Sequence, residues 1–174
     1  MTVMEIASEI SSHMIKGLMF HSQMADYYKF LGLSKYSECH ENHYKKEDCA
    51  WRKFSNYVIE HYNKLIPEKE IESPDAIPQS WYDYSRQDVD AGTKSKAVKA
   101  GLEKWLEWET ETKTLYQNMF YELLMMKEVA FAMHLKHYIK DVDCEITDVT
   151  QYQLNKSSVG YDIGVIISEQ HHYK

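Results

Sequence analysis

Apolar positions recur in alternating steps of four and three along four long stretches of this chain, and proline is confined to Pro67, Pro74 and Pro78. Such a period marks one face of an α-helix, and proline is excluded from helix interiors. The pattern therefore predicts four long helices and one long connection. Helix 1 is expected over 3–31, with Ile6, Ile10, Met14, Gly17, Leu18, His21, Met24, Tyr28 and Leu31 along its stripe. Gly32 suits a C-terminal cap, and Ser34 suits an N-cap for the second helix. Helix 2 is expected over 35–66, on the stripe Tyr36, His40, His43, Glu47, Ala50, Phe54, Tyr57 and His61, with Pro67 as its stop.

The stretch 67–92 shows little helical period and is too long for an ordinary bundle connection of about 2–8 residues. Trp81, Tyr82 and Tyr84 are expected to anchor it, and Asp88 and Asp90 to end it and cap the next helix. Helix 3 is expected over 93–125, on Val98, Leu102, Trp105, Glu109, Thr112, Tyr116, Met119 and Leu123. Helix 4 comes after a break near Lys127 and runs to about 155, on Ala130, Met133, His137, Asp141, Cys144 and Asp148. The remainder, 156–174, reads as a short extension or fifth helix. Two hairpins joined by a long connection imply a crossover running the length of one all-α, up-down four-helix bundle, a single domain.

Charge and composition narrow the function. The net charge of −7 argues against nucleic acid as a partner, since phosphate binding needs a clustered basic surface. No segment approaches the ~20 apolar residues of a membrane span. The start of the sequence lacks a basic region followed by an apolar stretch, so a cytoplasmic protein is expected. The three cysteines, without a CxxC pair, read as free thiols. The expected partner is a second copy, giving a homodimer, or another protein.

The candidate chemistry lies on the stripes themselves. Each long helix carries an unusual polar residue there: His21, Glu47, Glu109 and Asp141. With the first turn taken at Ser34, His21 and Glu47 stand equally far from it. With the second at Met126, Glu109 and Asp141 differ in depth by about 3 Å, at about 1.5 Å per residue. His43 and His137 lie one turn before Glu47 and Asp141 on the same faces. Burying such groups unpaired costs several kcal/mol each. They must bond one another or hold a metal, and nitrogen with carboxylate oxygen suits Fe, Mn or Zn. The expected metal layer is thus His21, His43, Glu47, Glu109, His137 and Asp141. The pattern names no reaction. The alternative is a non-enzymatic assembly or partner-binding bundle whose polar layer is metal-free and serves as a register device.

Two hairpins, a full-length crossover and a mid-bundle layer of carboxylates resemble the ferritin-like superfamily over 3–155, and are similar to uncharacterised ferritin-like proteins of bacterial and prophage genomes. The resemblance implies a di-iron pattern of one Glu from each of two helices and Glu-x-x-His from each of the others. By position His21 and Glu109 take the single-Glu slots, and Glu47 and Asp141 begin the Glu-x-x-His pairs. Ala50 and Cys144 then stand where the histidines belong, and His43 and His137 would supply nitrogen one turn earlier. The Glu-x-x-His spacing itself occurs at Glu169–His172, at the end of the sequence. These departures argue against ordinary di-iron oxidation.

Overall fold

The computed structural model describes residues 1–170. Four long helices, α1 (Val3–Phe30), α2 (Ser34–Tyr62), α3 (Ala91–Met125) and α4 (Val129–Ser158), form two hairpins, and a short α5 (Ile163–Glu169) completes the chain order. There is no strand among the described residues. The expected all-α bundle with a long crossover between α2 and α3 is what the chain adopts.

Local sequence sets the helix ends. Thr2 and Glu5 form a capping box at the start of α1, which satisfies two otherwise orphaned amides. α1 ends in a Schellman turn. Gly32 sits at φ +73°, its N–H donates to the Lys29 carbonyl, and the Leu33 N–H donates to that of Tyr28. Ser34 is not the cap of α2: Leu33 holds that place without a side-chain bond, and the amide of Lys35 donates instead to Gln170 Oε1 at 2.6 Å. α2 also stops short of Pro67, because Asn63 turns into the left-handed region at φ 52° and closes the helix. Asp90, but not Asp88, caps α3, accepting from the Thr93 amide at 2.7 Å. The α3–α4 turn repeats the Schellman geometry with a lysine at the left-handed position, Lys127 at φ 63°.

The crossover carries two 3₁₀ turns, Gln79–Asp83 and Arg86–Asp88. It is pinned by buried Ala76 and Val89 and by half-buried Trp81, whose ring meets Tyr27 edge-on at 5.4 Å. Tyr82 and Tyr84 do not anchor it; they are exposed. In α5, Ile166 is fully buried with Val149 and Trp105 in one cluster, which docks this helix on the bundle.

The apolar interior falls into two clusters. One gathers Phe20, Met24, Tyr28, Val98, Leu102, Trp105 and Val149; the other gathers Ile10, Met14, Phe54, Tyr116, Leu135 and Val142. Between them, on all four helices, lies a polar layer.

Candidate metal centre

Register decides which polar side chains share that layer. The first hairpin is centred on Gly32, not Ser34, so His21 stands level with His43, and Gly17 with Glu47. The difference of two residues at the turn moves each partner by four, one helical turn. The rings of His21 and His43 stack at 5.2 Å and 21°. A Cβ on Gly17 would lie 3.5 Å from the Glu47 carboxyl, ordinary van der Waals distance, so the two residues sit side by side. The second hairpin is centred on Lys127, which brings Glu109 opposite Glu145 rather than Asp141.

Five groups therefore meet in the layer: His21 from α1, His43 and Glu47 from α2, Glu109 from α3 and Glu145 from α4. His43 Nδ1 lies 3.3 Å from Glu145 Oε2, and His21 Nε2 lies 3.7 Å from Glu109 Oε1. Glu109 Oε1 also accepts from the Trp105 indole N–H at 3.0 Å. A nitrogen of His21, a nitrogen of His43 and a carboxylate oxygen of Glu145 all lie within 4.8 Å of one another. Metal bonds of about 2.0–2.2 Å to nitrogen and oxygen set ligand atoms about 3–4 Å apart, so binding would draw this set inward.

His40 belongs to the site as well. A position near the hairpin end argues for exposure, yet the ring is buried, and its Nδ1 is 3.0 Å from Nδ1 of His21. One of these two nitrogens must carry the proton. If His21 donates, its Nε2 presents a lone pair to the layer, the arrangement by which outer partners orient metal-binding histidines. His40-x-x-His43 also has the i, i+3 spacing that Glu-x-x-His has in di-iron bundles.

Two of the expected ligands stand elsewhere. His137 and Asp141 are exposed on α4. The inward stripe of that helix is Phe131, Leu135, Tyr138, Val142, Glu145 and Val149, one residue beyond the expected one through most of its length. One residue is 100° of helix. Asp141 remains near the layer, at a cavity of about 350 Å³ that opens onto Glu47 and Glu145; His137 does not line it. About a turn centred on Met126 the position level with Glu109 is Asp143; only with the turn centred on Lys127 does Glu145 stand level with it. His172, with which Glu169 makes the one Glu-x-x-His spacing, and His171 beside it lie outside the described residues.

Electrostatics divide the layer into neutral and charged members. Burial, reinforced by His40 and His43, pushes His21 well below its usual range, and burial pushes His40 down to about 3. His43 is raised to about 10: burial opposes its charge, but contacts with Cys39 and Glu145 outweigh burial. Glu145 is held low despite burial, chiefly by His43. Burial and the charge of Glu145 lift Glu109 well above the carboxylate range, so Glu109 carries the proton of that pair. Burial likewise raises Glu47 to about 7.

This network leaves three buried atoms without a hydrogen bond: His21 Nε2, His43 Nδ1 and Glu145 Oε2. The 3.3 Å approach of the last two is an ion pair whose geometry does not make a hydrogen bond. Orphaned buried polar atoms are rare in folded proteins. They belong to the same three residues whose ligand atoms converge, so the donor set fits a divalent transition metal.

No protein-family profile matches the sequence, and no curated protein sequence matches it. Solved structures do match. A humanized archaeal ferritin superposes with a TM-score of 0.80 at 17% identity, over 97% of this chain and 92% of the other. The fold is ferritin-like. An open-pore ferritin from the hyperthermophilic archaeon Archaeoglobus fulgidus gives 0.78 at 16% identity, over 96% and 91%. A PmFTN variant soaked in iron gives 0.80 at 8% identity, over 98% of each chain. The expected ferritin-like architecture is thus shared along nearly the whole chain, at 8–17% sequence identity to these structures.

Proposed function

We propose that this ferritin-like bundle binds a divalent transition metal, iron before manganese or zinc, at His21, His43 and Glu145, with Glu109 and Glu47 completing the layer. The observation that carries the reading is that the three residues whose ligand atoms lie within 4.8 Å of one another each also hold a buried atom without a hydrogen bond. The mixed nitrogen and oxygen donors admit iron, manganese or zinc, and iron is put first for the likeness to a protein soaked in iron. A bound metal would supply a Lewis-acidic and, as iron, redox-active centre. The protein's part is to hold His21 neutral through His40 and to place the layer between two apolar clusters, with access from the cavity at Glu47 and Glu145.

The test is an anaerobic titration of metal-free protein with Fe(II), and with Co(II) as a spectroscopic substitute. Near-stoichiometric uptake, with d–d bands showing nitrogen ligation, is expected. Absence of uptake would favour the second reading, a metal-free bundle used for assembly, which the His43–Glu145 ion pair supports because it neutralises the layer unaided. Either reading accommodates self-association as a homodimer. Tyr121, Leu124, Met125, Val129 and Met133 are exposed around the α3–α4 turn, and light scattering would report the mass. None of the described helices is long and apolar enough to cross a membrane.

A further inference from the structure

A second site lies on the α5 side of the bundle. Lys156, in the last turn of α4, is buried, and its ammonium is held by the carboxylate of Glu169 at the end of α5. Lysine is almost never buried unless it is paired. The partners are unequal: the lysine side chain is 7% exposed and that of Glu169 is 40% exposed. The cation is built into the body of the fold, whereas its counter-charge is delivered by the final residue of a seven-residue helix.

Beside this pair is a cavity of about 520 Å³, within the range of about 300–1,000 Å³ that small-molecule sites occupy. Its walls include the rings of Tyr36, Trp105 and Tyr152 and two ion pairs, Lys35 with Glu38 and Lys156 with Glu169. The Tyr36 hydroxyl is buried and without a hydrogen-bond partner. A pocket with the buried ammonium of Lys156 in its wall disfavours a cation at that end. It also disfavours a purely apolar guest, which would leave the hydroxyl orphaned. Flat aromatic walls with one buried ammonium and one free hydroxyl suit a planar ring bearing an anion.

We infer that this cavity binds a small aromatic carboxylate, its ring against Trp105 and Tyr36 and its carboxylate on Lys156 in place of Glu169. The Tyr36 hydroxyl donates to the same carboxylate. Glu169 is then the internal occupant, and its partly exposed side chain swings aside when the ligand enters while buried Ile166 keeps α5 docked. None of this depends on a metal in the histidine layer.

Calorimetry and ligand-observed NMR on the metal-free full chain test it, with benzoate as probe and benzamide as its uncharged counterpart. Benzoate binds saturably with a roughly millimolar Kd, and benzamide about tenfold more weakly or not at all. Lys156→Met weakens benzoate about tenfold, and Glu169→Gln, which removes the competing anion, strengthens it roughly threefold. Asn42→Trp, at an exposed position lining the cavity, blocks benzoate without touching the ion pair, and decides the matter if Lys156→Met fails to fold. Equal binding of benzoate and benzamide overturns the proposal. So does benzoate binding that neither Lys156→Met nor Asn42→Trp weakens, or absence of saturable binding in both the wild type and Glu169→Gln.

Discussion

Glu145 on α4 faces His43 on α2 across the bundle, Oε2 to Nδ1 at 3.3 Å, and that contact joins the two hairpins in the polar layer. Both groups sit between apolar clusters, so each is the other's main source of charge compensation. Removing either leaves a buried charge alone.

The proposed centre makes a selective demand on α4. Glu145→Gln and His43→Ala should each lower Co(II) affinity by about tenfold or more, the scale on which metal-site changes act. Asp141→Asn and His137→Ala should leave it essentially unchanged. Competition titrations with a chelator measure all four. Equal losses for Glu145→Gln and Asp141→Asn would place the metal at the mouth of the cavity instead.

Tyr28 and Gly101 set a second test. The Tyr28 hydroxyl is fully buried without a partner and lies against Gly101, where an added Cβ would collide with it. Gly101→Ala should cost roughly 1–3 kcal/mol by overpacking. Tyr28→Phe, which deletes only an unsatisfied hydroxyl, should be neutral or stabilising. In the double variant Gly101→Ala should cost much less, a coupling that denaturant melts of the four-member cycle would reveal. Simple addition of the two effects would refute the contact.

Stability should fall in mild acid, partly through His13. That ring stacks on Trp108 at 4.7 Å, and its Nε2 lies 2.7 Å from Thr112 Oγ1. The threonine hydrogen goes to the Trp108 carbonyl, so Nε2 carries the proton and donates. Burial, helped by Lys16, lowers the His13 pKa from 6.5 to about 4. The unfolded chain therefore takes up a proton near pH 6.5 that the folded chain refuses until about 4. Stability present above 6.5 is lost as pH falls through that window, by on the order of 3 kcal/mol from this group. His40 extends the loss to about 3. His13→Phe keeps the stack and should flatten the acid limb of Tm against pH. An unaltered limb would mean that His13 is not desolvated.

Lys127 occupies a left-handed position that glycine fills more readily. Lys127→Gly should raise stability by about 0.5–1 kcal/mol, with the gain read as a higher denaturation midpoint at unchanged slope. A loss would show that the lysine makes a contact worth more than its backbone strain.

Periodicity alone carried the architecture, because a helix repeats its buried face every few residues and proline marks where helices cannot continue. Four helices, their order and the long crossover rest on such local facts. So does the composition of the polar layer on α1, α2 and α3, since His21, His43, Glu47 and Glu109 interrupt otherwise apolar stripes. Facing partners are a different matter. Depth in a hairpin depends on where its turn is centred, and a shift of two residues, from Ser34 to Gly32, replaces Glu47 by His43 opposite His21. On α4 a shift of one residue rotates the stripe by 100° and puts Tyr138, Val142 and Glu145 in the place of the expected His137, Asp141 and Cys144. His40 lies near a turn, yet Trp105 from α3 covers it at 4.7 Å between ring centroids. Likewise the buried Lys156 is inconspicuous in sequence until α5 folds back with Glu169. Local spacing determines which residues share a helix face; the packing of one helix against another decides which faces meet, and that decision belongs to side chains far apart in the chain.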